Sequence, residues 1–171
     1  MDPKEAFEGS PEIEIDSALP GWICLRIAPD IEAKEQVVEF FRSELVDLPG
    51  DLGEKLSLAI DELLGNAIEH GSSANPKYGV EFRFIRTNRM LLCQIRDAGP
   101  GFSRNDIPHA ALNNPPEDPL RHVEYRSQAG MRPGGFGIML VRQIADELLY
   151  NEHGNEVLLI KYMSNGAADH S

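Results

Sequence analysis

The sequence predicts an α+β fold, a two-layer α/β sandwich in which helices cover one face of a sheet. Two pairs of apolar strand patterns are joined by short turns, at Thr87-Asn88 and at His153-Gly154-Asn155, which indicates antiparallel pairing. The helical patterns are too few to cover both faces of a sheet. A length of 171 residues fits one domain with a sizeable core.

The individual elements follow from hydrophobic periodicity. Strand patterns lie at 12–16, 22–27, 78–85, 90–96, 149–151 and 157–163, and helical patterns lie at 29–48, 51–70 and 136–148. The apolar face of the first helix is expected to consist of Ile31, Val37, Val38, Phe41 and Leu45. Asp51 is expected to cap the second helix with Glu54 as its reciprocal partner, and Gly71 is expected to end that helix.

The segments outside these elements define the domain organisation. We expect a single domain over 12–163, with flexible tails at 1–11 and 164–171. Residues 103–133 are rich in proline and lack a periodic pattern. Irregular segments of this length are uncommon in compact domains and are often functional lids, so this segment is interpreted as a lid.

Composition excludes several classes of partner. The formal net charge is −12, with 28 acidic residues against 16 lysines and arginines. Nucleic acids and anionic membranes attract basic surfaces, so we expect neither as a partner. The N-terminus lacks the apolar region of a signal peptide and no apolar run reaches about 20 residues, so a cytoplasmic protein is expected. Cys24 and Cys93 lie in apolar strand patterns and are expected to be core residues.

The second helix carries two different faces. One face is apolar, and the other holds Glu62, Asn66, Glu69 and His70. The amide oxygen of Asn66 is a suitable ligand for Mg²⁺, and Glu62 lies one turn earlier, where a carboxylate can orient or deprotonate a nucleophile. Gly65 is unfavourable in a helix interior and suggests close approach by a backbone or a ligand. The alternative is an amphipathic helix with a solvated charged face, with His70 interacting only with the last carbonyl groups.

Two glycine-containing turns are the other candidate segments. Asp97-Ala98-Gly99-Pro100-Gly101 follows a strand, and the Asp97 carboxylate is an acceptor for a donor such as the adenine 6-amino group. The alternative is an ordinary Asx turn. Gly134-Gly135-Phe136-Gly137-Ile138 leads into the last helix, where uncrowded backbone N–H groups attract anions such as a triphosphate. The alternative is a flexible hinge before an ordinary helix.

The order of these segments resembles the GHKL superfamily of ATPases and kinases, which includes histidine kinases, Hsp90, MutL and type II topoisomerases. The resemblance covers roughly residues 22–163. It is greatest to the RsbW/SpoIIAB-like branch of serine/threonine-protein kinases, because residues 58–71 are similar to the N-box helix of that branch. The lid is longer and richer in proline than is expected for this branch.

The resemblance implies a Bergerat-type ATP-binding fold with a mixed, mostly antiparallel sheet, helices on one face and a long lid. ATP and Mg²⁺ are the implied cofactors. Glu62 matches the general base, Asn66 the Mg²⁺ ligand and Asp97 the adenine contact. The residues that are implied to border the nucleotide are Gly99, Gly101, Gly135, Phe136, Gly137 and Ile138.

The implied activity is transfer of the ATP γ-phosphate to a serine or threonine of a STAS-domain anti-sigma factor antagonist. Such kinases form homodimers and some also bind a sigma factor as anti-sigma factors. Two alternatives stay open at this point. One is a nucleotide-binding anti-sigma or adaptor module with little kinase activity, and the other is a detached histidine-kinase catalytic domain.

Overall fold

Six strands form one sheet in the computed structural model, which describes residues 2–7, 10–16, 20–72, 79–101 and 137–163. The strands are β1 (Ile13–Asp16), β2 (Ile23–Ile27), β3 (Val80–Arg86), β4 (Met90–Arg96), β5 (Glu147–Tyr150) and β6 (Glu156–Tyr162). Their order is β1-β2-β3-β4-β6-β5. Every pairing within the described sheet is antiparallel, whereas the resemblance implied a mixed sheet.

The helices form the second layer. They are α1 (Pro3–Ala6), α2 (Ile31–Ser43), α3 (Leu52–Asn66), a π-helix (Ala67–Ser72) that continues α3, and α4 (Gly137–Ile144). Phe41 of α2 packs edge-on against Phe82 and Phe84 of β3, with ring centroids 5.6 and 5.0 Å apart. The predicted two-layer sandwich is therefore confirmed. Within the described ranges, none of the helices is long and apolar enough to cross a bilayer.

One sheet face supplies the core because strand residues alternate between the two faces. Val80, Phe82 and Phe84 of β3 are buried, as are Leu91, Cys93 and Ile95 of β4. Both cysteines are buried, and burial raises the pKa of the Cys93 thiol far above its usual range. The prediction that they are core residues is confirmed.

The N-terminus differs from the predicted loose tail. Asp2 accepts a hydrogen bond from Lys4 N at 3.0 Å and caps α1, where Pro3 occupies the first helical position. Phe7 is 5% exposed and packs edge-on against Phe40 of α2 at 5.1 Å. The tail prediction is therefore wrong for residues 2–7, because one aromatic side chain anchors this segment on the helical layer.

The starts of α2 and α3 are capped differently. Asp30 caps α2 by accepting a hydrogen bond from Ala33 N at 3.0 Å. Ile31, placed on the apolar face by its spacing, is 59% exposed at the first helical position. Asp51 stands at the start of α3 but makes no capping bond, and its carboxylate pairs with Lys55 at 2.9 Å instead. The predicted reciprocal cap with Glu54 is therefore wrong.

The last helix is shorter than predicted. It ends at Ile144 rather than near residue 148, and β5 begins already at Glu147. Asp146 explains the early end: its carboxylate accepts hydrogen bonds from Lys161 Nζ at 2.9 Å and from Tyr162 N at 2.6 Å. These bonds fix the chain at the edge of the sheet, where β5 pairs with β6.

The end of α3 also differs from the prediction. Gly71 was expected to stop the helix as a left-handed cap, but its φ is not positive and the helix continues as a π-helix to Ser72. Widened turns of this kind are rare and occur frequently at functional sites. They shift the side chains that follow, and here the shift brings Gly71 against the end of β4.

Candidate functional site

The polar face of α3 carries the first group of candidate residues. Leu56, Ile60 and Leu64 are fully buried on the opposite side of the helix. Glu62 and Asn66 are half-buried, one helical turn apart. The apolar side fixes the rotation of α3, so these two polar side chains share the other face, as the spacing predicts.

Glu62 lies against the start of α4. A Cβ atom built on Gly137 would overlap the Glu62 carboxylate and lie 2.9 Å from its Cδ. A side chain at this position would therefore have to displace the Glu62 carboxylate. The structure thus brings together Glu62 and the described part of the second glycine turn, Gly137 and Ile138. Gly135, Phe136 and the lid predicted at 103–133 lie outside the described residues.

A carboxylate beside the first turn of a helix is electrostatically favourable, because the backbone N–H groups there are unpaired and carry partial positive charge. The same groups attract phosphate. Glu62 therefore lies beside the first turn of α4, where a negative charge is favoured.

Asp97 forms the second group of candidate residues, directly after β4. Its Oδ1 accepts a hydrogen bond from Gly99 N at 2.8 Å, so the Asx turn considered for this segment is present. Burial raises the pKa of the Asp97 carboxyl above its ordinary value, while the bond from Gly99 and the charge of His70 oppose that rise. A half-buried carboxylate with this turn geometry is held in place and only partly solvated.

Three glycines lie in or against the Asp97 turn. A Cβ on Gly71 would overlap the Asp97 carboxylate and lie 2.5 Å from Asp97 Cβ. A Cβ on Gly99 would lie 2.5 Å from Gly71 O. Gly101 adopts a φ of +75°, which side chains other than glycine rarely adopt. The π-helix and the Asp97 turn are therefore in backbone contact, which only glycines allow.

The turn between β5 and β6 completes this second group. Asn155 exchanges two hydrogen bonds with the backbone of Asp97, both at 3.0 Å. A Cβ on Gly101 would overlap His153 O. The sequence indicated only a hairpin turn here, because the position of Asn155 opposite Asp97 follows from the register of β4 on β6. Gly71 was missed for a similar reason, since its spacing is also typical of a helix end.

The helix that carries Glu62 and Asn66 links the two groups. Asn66 is the last residue of α3, one turn after Glu62, and the π-helix runs from the next residue to Gly71 beside Asp97. Gly65 precedes Asn66 in α3. Apart from its chain neighbours and the backbone of its own helix, no described atom lies within 4 Å of the position that a Cβ atom would occupy on Gly65. The backbone approach that Gly65 suggested is therefore not made by the described residues.

The oxygen donors on this face suit a hard cation that is held mainly by a ligand's phosphates. The part of the chain described here holds no group of three or more His, Cys, Asp or Glu side chains arranged for a metal ion. Mg²⁺ needs few protein ligands when phosphate oxygens and water complete its octahedron. A single amide oxygen at Asn66 is compatible with that mode of binding.

The contrasting surroundings of Gly65 and Gly71 predict opposite effects of one substitution. Gly65→Ala is expected to stabilise the protein by about 0.5–1 kcal/mol, because alanine favours the helix and the added Cβ meets nothing. Gly71→Ala is expected to destabilise it by about 1–3 kcal/mol, because the added Cβ must displace Asp97. Chemical denaturation of both variants checks this, and a destabilised Gly65→Ala with an unaffected Gly71→Ala would contradict the described packing.

The chain matches a known family. A family model described as a histidine kinase-like ATPase domain matches residues 27–161. The matched range extends from the end of β2 to β6 and includes α3, the Asp97 turn and α4. A search of curated proteins finds no match.

Proposed function

The chain belongs to the family of histidine kinase-like ATPase domains, of the GHKL type, and from this premise we propose that it binds Mg-ATP and phosphorylates a protein. We propose that the acceptor is a serine or threonine of a STAS-domain anti-sigma factor antagonist. The observation that carries the proposal is the placement of Glu62: one turn before Asn66, with its carboxylate at the start of α4.

The Asp97 turn supports an adenine site. Asp97 offers an acceptor, held by the bond from Gly99 and confined by Gly71. The exocyclic amine of adenine is a donor, whereas guanine presents a carbonyl oxygen at the corresponding position and would face the carboxylate with an acceptor. We therefore assign Asp97, Gly99 and Gly101 to the base end of the nucleotide.

The face of α3 supports the phosphate end. Asn66 has an amide oxygen for Mg²⁺, and among the described residues none crowds the Cβ position of the neighbouring Gly65. The start of α4, with Gly137 and Ile138, has the backbone N–H groups that attract phosphate. We propose that Gly135 and Phe136 continue this border. Bound Mg²⁺ would neutralise charge on the phosphates as the γ-phosphoryl group is transferred.

Glu62 is the proposed general base. Its carboxylate accepts the proton of the acceptor hydroxyl while the hydroxyl oxygen forms a bond to the γ-phosphorus. The bond between the γ-phosphorus and the β,γ-bridging oxygen breaks, and ADP leaves. Proton acceptance by a positioned carboxylate typically accelerates such a step by about 10²–10⁴-fold.

A phosphorylation assay tests the proposal. The protein is incubated with Mg²⁺, γ-labelled ATP and the STAS-domain protein encoded beside it, with a variant of that protein lacking the acceptor hydroxyl as control. Acid-stable label on the STAS protein, absent from its variant, is the expected result. Acid-labile label would indicate a histidine kinase. ATP binding without transfer, together with a stable sigma factor complex, would favour the anti-sigma module instead.

Assembly and location are part of the same proposal. We propose a cytoplasmic homodimer that also binds a sigma factor, because these properties accompany the kinase activity in the branch that the sequence resembles. Nucleic acid and membrane are not proposed as partners, since the formal net charge of −12 disfavours both.

The raised pKa of Asp97 predicts a pH dependence of ATP affinity. Protonation removes the negative charge that attracts the amine, so affinity is expected to fall as the pH is lowered toward this pKa. Because burial raises the pKa, the fall begins at a higher pH than an ordinary aspartate would give. The dissociation constant of ATP is measured from about pH 8 down to about pH 4, the ordinary pKa of an aspartate. The Asp97→Asn variant is the control, because any pH dependence that it retains comes from titration of the nucleotide or of other groups. The same pH dependence of ATP affinity in the parent protein and in Asp97→Asn would contradict the adenine contact of Asp97.

A further inference from the structure

The turn between β5 and β6 reaches past the end of the sheet to the Asp97 turn. The β4–β6 ladder ends with the pair Arg96 and Glu156. The next pair along the two chains is Asp97 and Asn155. Asp97 N donates to Asn155 O at 3.0 Å, as an antiparallel pair requires.

The second bond of this pair is made by a side chain. In a regular ladder, Asn155 N would donate to Asp97 O. Here Asn155 N donates to Asn151 Oδ1 at 3.1 Å, and Asn155 Nδ2 donates to Asp97 O at 3.0 Å. Asn155 therefore forms hydrogen bonds to both the backbone N–H and the backbone C=O of Asp97, although Asp97 lies beyond the end of β4.

The orientation of both asparagine side chains is fixed by backbone groups. Asn151 Oδ1 accepts from the backbone N of Asn155 and of Glu156, so this atom is the oxygen and Nδ2 is the donor. Asn151 Nδ2 donates to Asn155 Oδ1 at 2.8 Å. The amide of Asn155 must then present Nδ2 to Asp97. One arrangement of the two amides satisfies every donor and acceptor in this set.

The same turn also contacts the far end of the Asp97 segment. Gly154 is buried with a φ of +73°, and the neighbouring His153 carbonyl lies against Gly101. The β5–β6 turn therefore holds the Asp97–Gly101 segment at both ends, while Gly71 confines the carboxylate from the side of the π-helix.

We propose that Asn155 is a positioning residue that sets the preference for adenine by fixing the backbone of Asp97, with Asn151 fixing the amide of Asn155. The inference rests on the proposed function, since it assumes that Asp97 binds the base. A hydrogen-bonding site distinguishes adenine from guanine only when its donors and acceptors are held at fixed positions. A backbone free to rotate at Asp97 lets the carboxylate move from the amine, and the preference for ATP over GTP declines.

Affinities for Mg-ATP and Mg-GTP in matched variants test this role. Asn155→Ala is expected to weaken ATP binding about 10-fold and GTP binding less than about 2-fold, so that the preference falls. Asn155→Asp keeps the oxygen that accepts from Asn151 and replaces the donor that faces Asp97 with a charged acceptor, so a loss of preference at least as large is expected. Asn151→Ala is expected to give a smaller loss in the same direction. Glu152→Ala, at an exposed position of the same turn, is the control and is expected to keep the parent preference.

The outcomes separate this inference from the proposed function. A parent protein without preference for ATP, or without nucleotide binding, overturns both. A parent preference that Asp97→Asn removes and the Asn155 variants retain overturns the inference alone. Equal losses of ATP and GTP affinity with a lowered melting temperature indicate a merely structural role and also overturn it. If Asn155→Ala does not fold, the ratio of ATP to GTP affinity in Asn155→Asp and Asn151→Ala tests the inference in its place.

Discussion

Replacing Asp97 by asparagine is expected to lower the affinity for ATP about 10²-fold. The substitution replaces the charged acceptor with an amide N–H group. The hydrogen bond from the adenine amine to the carboxylate is lost, and two donors, the amide and the amine, face each other. Such bonds contribute about 1.5–3 kcal/mol, and about 1.4 kcal/mol corresponds to a tenfold change in affinity. Because the size of the side chain is kept, the crowded contacts of the glycines with Asp97 are kept as well. Calorimetric titration measures the change.

Two comparisons make that result specific. Asp51→Asn removes a charge at the exposed start of α3 and is expected to leave the affinity unchanged. GTP should bind the Asp97→Asn variant better than it binds the parent protein, because the amide can donate to the guanine carbonyl oxygen that the carboxylate repels. Equal affinities of the parent protein for ATP and GTP would contradict an adenine contact at Asp97.

Replacing Glu62 by glutamine is expected to lower phosphoryl transfer about 10²-fold or more while ATP binding stays within about 2-fold. Glutamine has the same shape and keeps the contact with Gly137, but it does not accept the proton. An interaction that acts only in the transition state changes kcat and kcat/KM equally. Single-turnover transfer to the STAS protein and a parallel ATP titration separate the two effects.

The control for this prediction lies on the same helix. Glu54→Gln changes an exposed glutamate in the first turn of α3 and is expected to retain full transfer activity. Transfer at the parent rate by Glu62→Gln would remove Glu62 from the proposed mechanism. Loss of ATP binding in the same variant would assign Glu62 to binding rather than to proton transfer.

The fold was predictable because its signals are local. Alternating apolar residues and short turns predicted the antiparallel strand pairs. The apolar face of α3 predicted the helix rotation that places Glu62 and Asn66 together on the opposite face. Asp97 and its glycines were recognisable because a turn after an apolar strand requires such residues. These patterns depend on neighbours within a few positions of the chain.

The parts that were missed depend on contacts between distant segments. Gly71 has the spacing of a helix end, but its role comes from contact with Asp97, 26 positions later. Asn155 was interpreted as a turn residue, and its bonds to Asp97 follow only from the register of β4 on β6. Phe7 was assigned to a loose tail because burial against Phe40 leaves no periodic signal in so short a segment.

The central claim is that one face of this domain binds Mg-ATP, with Asn66 as the protein ligand of the metal. Calorimetric titration of ATP with Mg²⁺ and with a chelator, in the parent protein and in Asn66→Ala, tests it most directly. The exposed Asn88→Ala is the control. We expect Mg²⁺ to strengthen ATP binding in the parent protein and in Asn88→Ala, and to have no effect on ATP binding in Asn66→Ala. An identical response to Mg²⁺ in Asn66→Ala and in the parent protein would contradict it.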